Sequence, residues 1–103
     1  MKLKDRVDAI VKLGVYLEKL FIKENSELLS KVEFTNAWFT KENVKKAINI
    51  WGNQLKLDII NSWLNPYSLP SETQKKEVLI IMAGNIPLVG LHDFISVIIC
   101  GHK

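Results

Sequence analysis

Val78-Leu79-Ile80-Ile81-Met82-Ala83-Gly84-Asn85-Ile86-Pro87 decides how this chain is read. Its first five residues are continuously apolar and do not alternate with polar ones. Such a run, bounded by turn residues, suits a strand covered on both faces. It stops at Ala83-Gly84-Asn85-Ile86-Pro87. A helix is predicted from about Leu88 to Ile99, opened by Pro87, which a first turn tolerates, and ended by Gly101. Its apolar residues, Leu88, Val89, Leu91, Phe94, Ile95, Val97, Ile98 and Ile99, surround most of the cylinder, so it expects cover on nearly every side. A strand buried on both faces needs neighbours along both edges, or its backbone N–H and C=O groups lack partners. No second strand is legible elsewhere. At Gly101-His102-Lys103 a parallel sheet would turn into its next strand. The reading is therefore mainly α. A helical N-terminal region, residues 1–76, precedes the opening strand–helix unit, about 78–82 and 87–99, of an incomplete α/β domain occupying 77–103. Short apolar runs are ambiguous between the two states, and the alternative is a helix over 78–82 in a small all-α bundle.

Upstream, the periodicity is helical. Val7, Ile10, Val11, Leu17, Leu20 and Phe21 recur at helical spacing and predict an amphipathic helix from about Leu3 to Phe21, weakened slightly by Gly14. Residues 23–37 read as a connector in which Ser26 to Val32 could form a short helix. Thr40 is a good N-cap, and Glu42 suits the positive end of the dipole that follows it. That helix is predicted to reach about Gln54, burying Val44, Ala47, Ile48 and Trp51, with Gly52 as a possible bend or early end. A shorter helix spans about Leu57 to Asn65, stopped by Pro66. The stretch from Pro66 to Lys76 is polar and turn-rich and reads as a surface linker.

Composition bounds the function. Among 103 residues, 48% are hydrophobic and 24% charged, enough apolar material for a core and too much for overall disorder. The 14 basic and 11 acidic residues are interleaved and give a net charge of +3, without the basic stripe that nucleic-acid binding requires. The single cysteine, Cys100, excludes a disulfide framework and a Cys-rich zinc site and makes a cytoplasmic location the default. Asp5 and Asp8 interrupt any secretory signal. Gly84-Asn85-Ile86-Pro87 and Asp93 break the 78–100 stretch as a membrane span.

Ile80 to Lys103, I-I-M-A-G-N-I-P-L-V-G-L-H-D-F-I-S-V-I-I-C-G-H-K, resembles the LuxC-type fatty-acyl-CoA reductase family of the aldehyde dehydrogenase superfamily. The A-G-N-I-P-L-V-G-L-H-D-F core carries most of the likeness. W-F-T-K-E-N-V at Trp38 to Val44 and I-I-N-S-W-L-N-P-Y at Ile59 to Tyr67 resemble the helical leader of the family. The resemblance implies that residues 77–103 open a Rossmann-like cofactor-binding domain. It implies an NADPH-dependent reduction of long-chain fatty-acyl-CoA to fatty aldehyde through a cysteine thioester. Asn85, matching an Asn-x-Pro element of the superfamily, is then the catalytic residue that stabilises the oxyanion of the tetrahedral intermediate. Gly84, Ile86 and Pro87 are then cofactor-binding. Lys103 does not match the cofactor-contacting lysine of the superfamily, which lies on a following strand, and the catalytic cysteine lies further downstream. The expectation is an enzyme N-terminus that is catalytically incomplete by itself, completed by a missing C-terminal region or prone to self-association.

Bland readings stand beside these. Asn85 can be a turn residue bonded to its own backbone. Cys100, at the end of an apolar helix, reads as a buried structural thiol. His92 and Asp93 diverge on a helix and define no metal site. Trp38, Trp51 and Trp63 read as core or interface anchors. The competing function is a stand-alone helical module that docks its apolar C-terminal segment on a protein partner.

Overall fold

The computed structural model describes residues 1–22 and 26–103. Five helices carry the described chain: α1 (Leu3–Ile22), α2 (Ser26–Thr35), α3 (Lys41–Gln54), α4 (Leu57–Leu64) and α5 (Leu91–Ile99). The fold is mainly helical, and no strand is present among the described residues. Helix α1 is the organising element. It packs along α3 and also touches α4 and α5, while α2 rests on α3. The part of the predicted connector at 23–25 lies outside the described residues; the rest of it is α2 up to Thr35, with Leu29 buried and Leu28 exposed.

The two glycines that weaken these helices as sequence explain how closely they pack. A Cβ added at Gly14 would lie 2.6 Å from the Cβ of Leu55 and 3.0 Å from its carbonyl oxygen. One added at Gly52 would lie 2.8 Å from Cγ of Glu18 and 3.3 Å from its backbone nitrogen. So α1 and α3 approach almost backbone to backbone. Gly52 does not end α3, which continues to Gln54. Around this contact the core gathers Val7, Ile10, Leu17, Leu29, Val44, Ile48, Leu55, Ile60, Ile95 and Ile99. Ile60, Ile95 and Ile99 are enclosed almost completely, each worth about 1.5–3 kcal/mol relative to exposure.

The ends of the helices follow local chemistry. The Thr40 hydroxyl accepts from the Asn43 N–H at 3.2 Å, with Thr40 in the extended region. At the end of α5, Gly101 takes φ 87°, its N–H donates to Ile98 at 2.9 Å and that of His102 to Val97 at 3.1 Å. This pair of bonds is a Schellman closure, which a residue with a Cβ resists. The start of α5 differs from the expectation of a helix beginning at Pro87. Residues 87–90 form successive turns, and Leu88 adopts φ 58°. A left-handed residue cannot continue a right-handed helix, so α5 begins only after Gly90.

Residues 73–83 carry neither helix nor strand, so the helical alternative for 78–82 is not what forms. Nor does a sheet form: Leu79 and Ile81 are 86% and 88% exposed. Only the beginning of the segment is paired. The N–H of Lys103 donates to Lys76 at 3.0 Å, and the N–H of Val78 donates to the Lys103 carbonyl at 2.7 Å. One residue bonded on both sides to two residues that flank a third is the local pattern of a parallel pair. The loop at 66–76 is less free than a linker: the Ser71 carbonyl accepts from the Leu3 N–H at 2.9 Å and ties it to the first turn of α1.

Candidate functional site

Gly84, Asn85 and Ile86 form one exposed bend between the apolar run and α5, with Pro87 half-buried in the turn that follows. A single side chain ties this bend to the helical region. Asn36 donates from Nδ2 to the Gly84 carbonyl at 2.9 Å, while its Oδ1 accepts from the Trp38 N–H at 3.1 Å. Asn36, at the end of α2, thereby holds both the Ala83–Pro87 bend and the approach to α3. Its role has no signature in the sequence, because it depends on two segments meeting that lie far apart along the chain.

Facing α3, the bend closes a cleft of about 400 Å³. Asn85 shares it with Asn43, Lys46 and the indoles of Trp38 and Trp51. The Asn85 amide makes no hydrogen bond within the described residues, which leaves both of its N–H donors available. Among the described residues that line the cleft, Lys46 supplies the one cation. The surroundings of Gly84 are open, with no atom within 4 Å of a Cβ placed there. Chemically, the cleft offers amide donors, one ammonium group and two indoles. Such a set can orient a carbonyl or phosphate oxygen and cover an apolar or aromatic ring.

The other residues singled out by sequence lie elsewhere. His92 meets Trp63 at 5.4 Å and Trp51 at 6.5 Å between ring centroids, both tilted. The three rings line a second, largely apolar cleft of about 270 Å³ with Leu55, Ile59, Ile60 and Ile95. His92 is thus an aromatic neighbour of the helical region, a role its place beside Asp93 did not reveal. Trp51 and Trp63 are half-buried, as anchors should be, but Trp38 is 71% exposed. Cys100 caps α5 and is half-buried. Among the described residues, no group of three or more His, Cys, Asp or Glu side chains could hold a metal ion. No described helix is long and apolar enough to cross a membrane. The chain matches no protein-family model, and no curated protein or solved structure proved significantly similar to it.

Proposed function

We propose that this chain is the N-terminal part of an NADPH-dependent reductase that converts long-chain fatty-acyl-CoA to fatty aldehyde, catalytically incomplete as given. The resemblance of Ile80 to Lys103 to that family supplies the chemistry. The observation that supports the reading is the apolar run at 78–82, exposed at every position but Ile80 and leading directly into an Asn85 whose amide is unengaged. An apolar run of this kind makes sense beneath a second layer and beside further strands.

In this reading the nucleophilic cysteine comes from outside these residues, since Cys100 sits at the far end of α5 from the bend. Attack of a thiolate on the acyl thioester places negative charge on the former carbonyl oxygen. Asn85 Nδ2 donates to that oxygen, and a preoriented donor of this kind contributes most where water is excluded. The Asn36 bond to the Gly84 carbonyl holds the bend that aims it. The cleft beside Asn85 fits part of a dinucleotide, with Lys46 for a phosphate and Trp38 for a ring. NADPH, when bound, supplies the hydride. Gly84, Ile86 and Pro87 contribute backbone and shape, and the open space at Gly84 permits close approach.

The test begins with the nucleotides that follow the Lys103 codon. An in-frame continuation is expressed with this chain and assayed for acyl-CoA-dependent NADPH oxidation. Activity that falls about 10²–10³-fold in kcat on Asn85→Ala supports the reading. An extended protein that is folded and inactive, or indifferent to this substitution, sinks it. A second reading draws on the same exposed Leu79 and Ile81, namely a stand-alone interaction module that docks them on a protein partner. A natural stop after Lys103 together with a soluble monomer favours that module.

A further inference from the structure

We infer that the 78–82 run is a docking edge for a strand of this same polypeptide, the residues that follow Lys103, which lie parallel to it in one fixed register. The inference rests on the reading that the chain continues past Lys103, and not on the reductase chemistry. Two backbone bonds start the ladder. The Lys103 N–H donates to the Lys76 carbonyl at 3.0 Å, and the Lys103 carbonyl accepts from the Val78 N–H at 2.7 Å. In a parallel pair this places Lys103 opposite Glu77. The side chains agree, since Lys103 Nζ lies 3.3 Å from Glu77 Oε1, as opposite residues on paired strands do. Both side chains are well exposed, so the ion pair marks the register and adds little stability.

Beyond Val78 the run has the burial pattern of a strand but no partner. Exposure alternates along it: Val78 is 41% exposed, Leu79 86%, Ile80 half-buried, Ile81 88% and Met82 51%. A period of two is that of extended backbone. The face of Val78, Ile80 and Met82 is the better covered, and the Met82 side chain fills the space that a Cβ on Gly90 would need. Among the described residues, the N–H and C=O groups of Leu79, Ile80, Ile81 and Met82 make no hydrogen bond. Continuing the ladder on the Lys103 side uses the Val78 carbonyl, both groups of Ile80 and the Met82 N–H. The second residue after Lys103 then faces Leu79 and bonds to Val78 and Ile80. The fourth faces Ile81 and bonds to Ile80 and Met82. Helix α5 (Leu91–Ile99) is the crossover that such a pair requires, because the chain leaves the run before it and returns to Lys76 after it. A second copy or a foreign peptide lacks this anchor. A segment joined to Lys103 arrives already aligned and avoids the entropy cost of association.

The natural in-frame continuation is expressed with this chain and compared with residues 1–103 by amide hydrogen exchange and nuclear Overhauser contacts. The Ile80 and Met82 amides should exchange on the order of 100-fold more slowly in the longer protein. The contacts should set the second residue after Lys103 opposite Leu79, with the two segments parallel. A natural stop after Lys103 overturns the inference. So does a folded longer protein in which those two amides exchange as they do in the shorter chain, or one whose pairing is antiparallel or in another register. Protection that already appears in residues 1–103 and rises with concentration would give the edge to a second copy and overturn it as well. Acyl-CoA-dependent NADPH oxidation is read on the same sample. Pairing without oxidation leaves the strand in place and removes the reductase; oxidation without pairing does the reverse.

Discussion

Replacing Leu79 and Ile81 together by serine asks whether the apolar run at 78–82 belongs to the core of this chain. Full burial of a leucine or isoleucine is worth about 1.5–3 kcal/mol. The two side chains are 86% and 88% exposed, so only about an eighth of each surface is withdrawn from water. Scaled by that fraction, the double substitution costs about 0.5 kcal/mol. Ile95, 2% exposed on α5, is the internal standard: Ile95→Ala should cost about 2–5 kcal/mol. Urea unfolding followed by the fluorescence of Trp51 and Trp63, both half-buried against the core, measures both changes on one scale. The serine variant should also be more soluble, because it removes an exposed apolar stretch that invites strand-to-strand association. A loss above about 2 kcal/mol for the serine pair would mean that the helices already enclose the run. The case for a covering layer would then fail.

Further predictions concern the helical region. Gly14→Ala gains about 1 kcal/mol of helix propensity. Against this stands overpacking of about 1–3 kcal/mol, because the new methyl meets the Cβ and carbonyl of Leu55, which have no rotamer to yield. The net effect is a lower urea midpoint. Gly84→Ala, which meets nothing, leaves the midpoint within about 0.5 kcal/mol of the parent; equal midpoints for the two variants would refute the crossing geometry. Thr40→Ala removes the bond to the Asn43 N–H and should cost about 1 kcal/mol in the same titration. Asn36→Ala releases the Gly84 carbonyl. Hydrogen exchange or proteolysis at residues 83–87 should then quicken while α1 amides keep their protection, and an unchanged rate would show that the bond does not restrain the bend.

The helices were legible because their causes are local. The 3.6-residue recurrence of Val7, Ile10 and Leu17, the Thr40 cap and the Gly101 closure each lie within a few residues of the structure they specify. The start of α5 is not legible in the sequence because a proline in a first turn and a proline in a tight turn look alike until the following residue takes its backbone angle, and nothing about Leu88 announces φ 58°. Local reasoning makes Gly14 a weak point of its helix and Gly52 a bend or early end, whereas both make a close contact between helices. The Asn85 bend was visible, but its tether through Asn36 was not, nor was the partnering of His92 with two indoles. The register of the Lys103 pairing was hidden most completely. Glu77 and Lys103 become opposite residues only when α5 has brought the chain back.

The glycine crossing has a mechanical consequence. Where α1 and α3 meet at Gly14 and Gly52, the space a Cβ would need is already taken by Leu55 and Glu18, so a larger residue at either position must push the two helices apart. The stretch between α4 and α5 is thinly packed by contrast, with Gly90 its sole buried residue. The bend bearing Asn85 lies in that thinly packed stretch, and the Asn36 amide is the side-chain bond that fastens it to the helices.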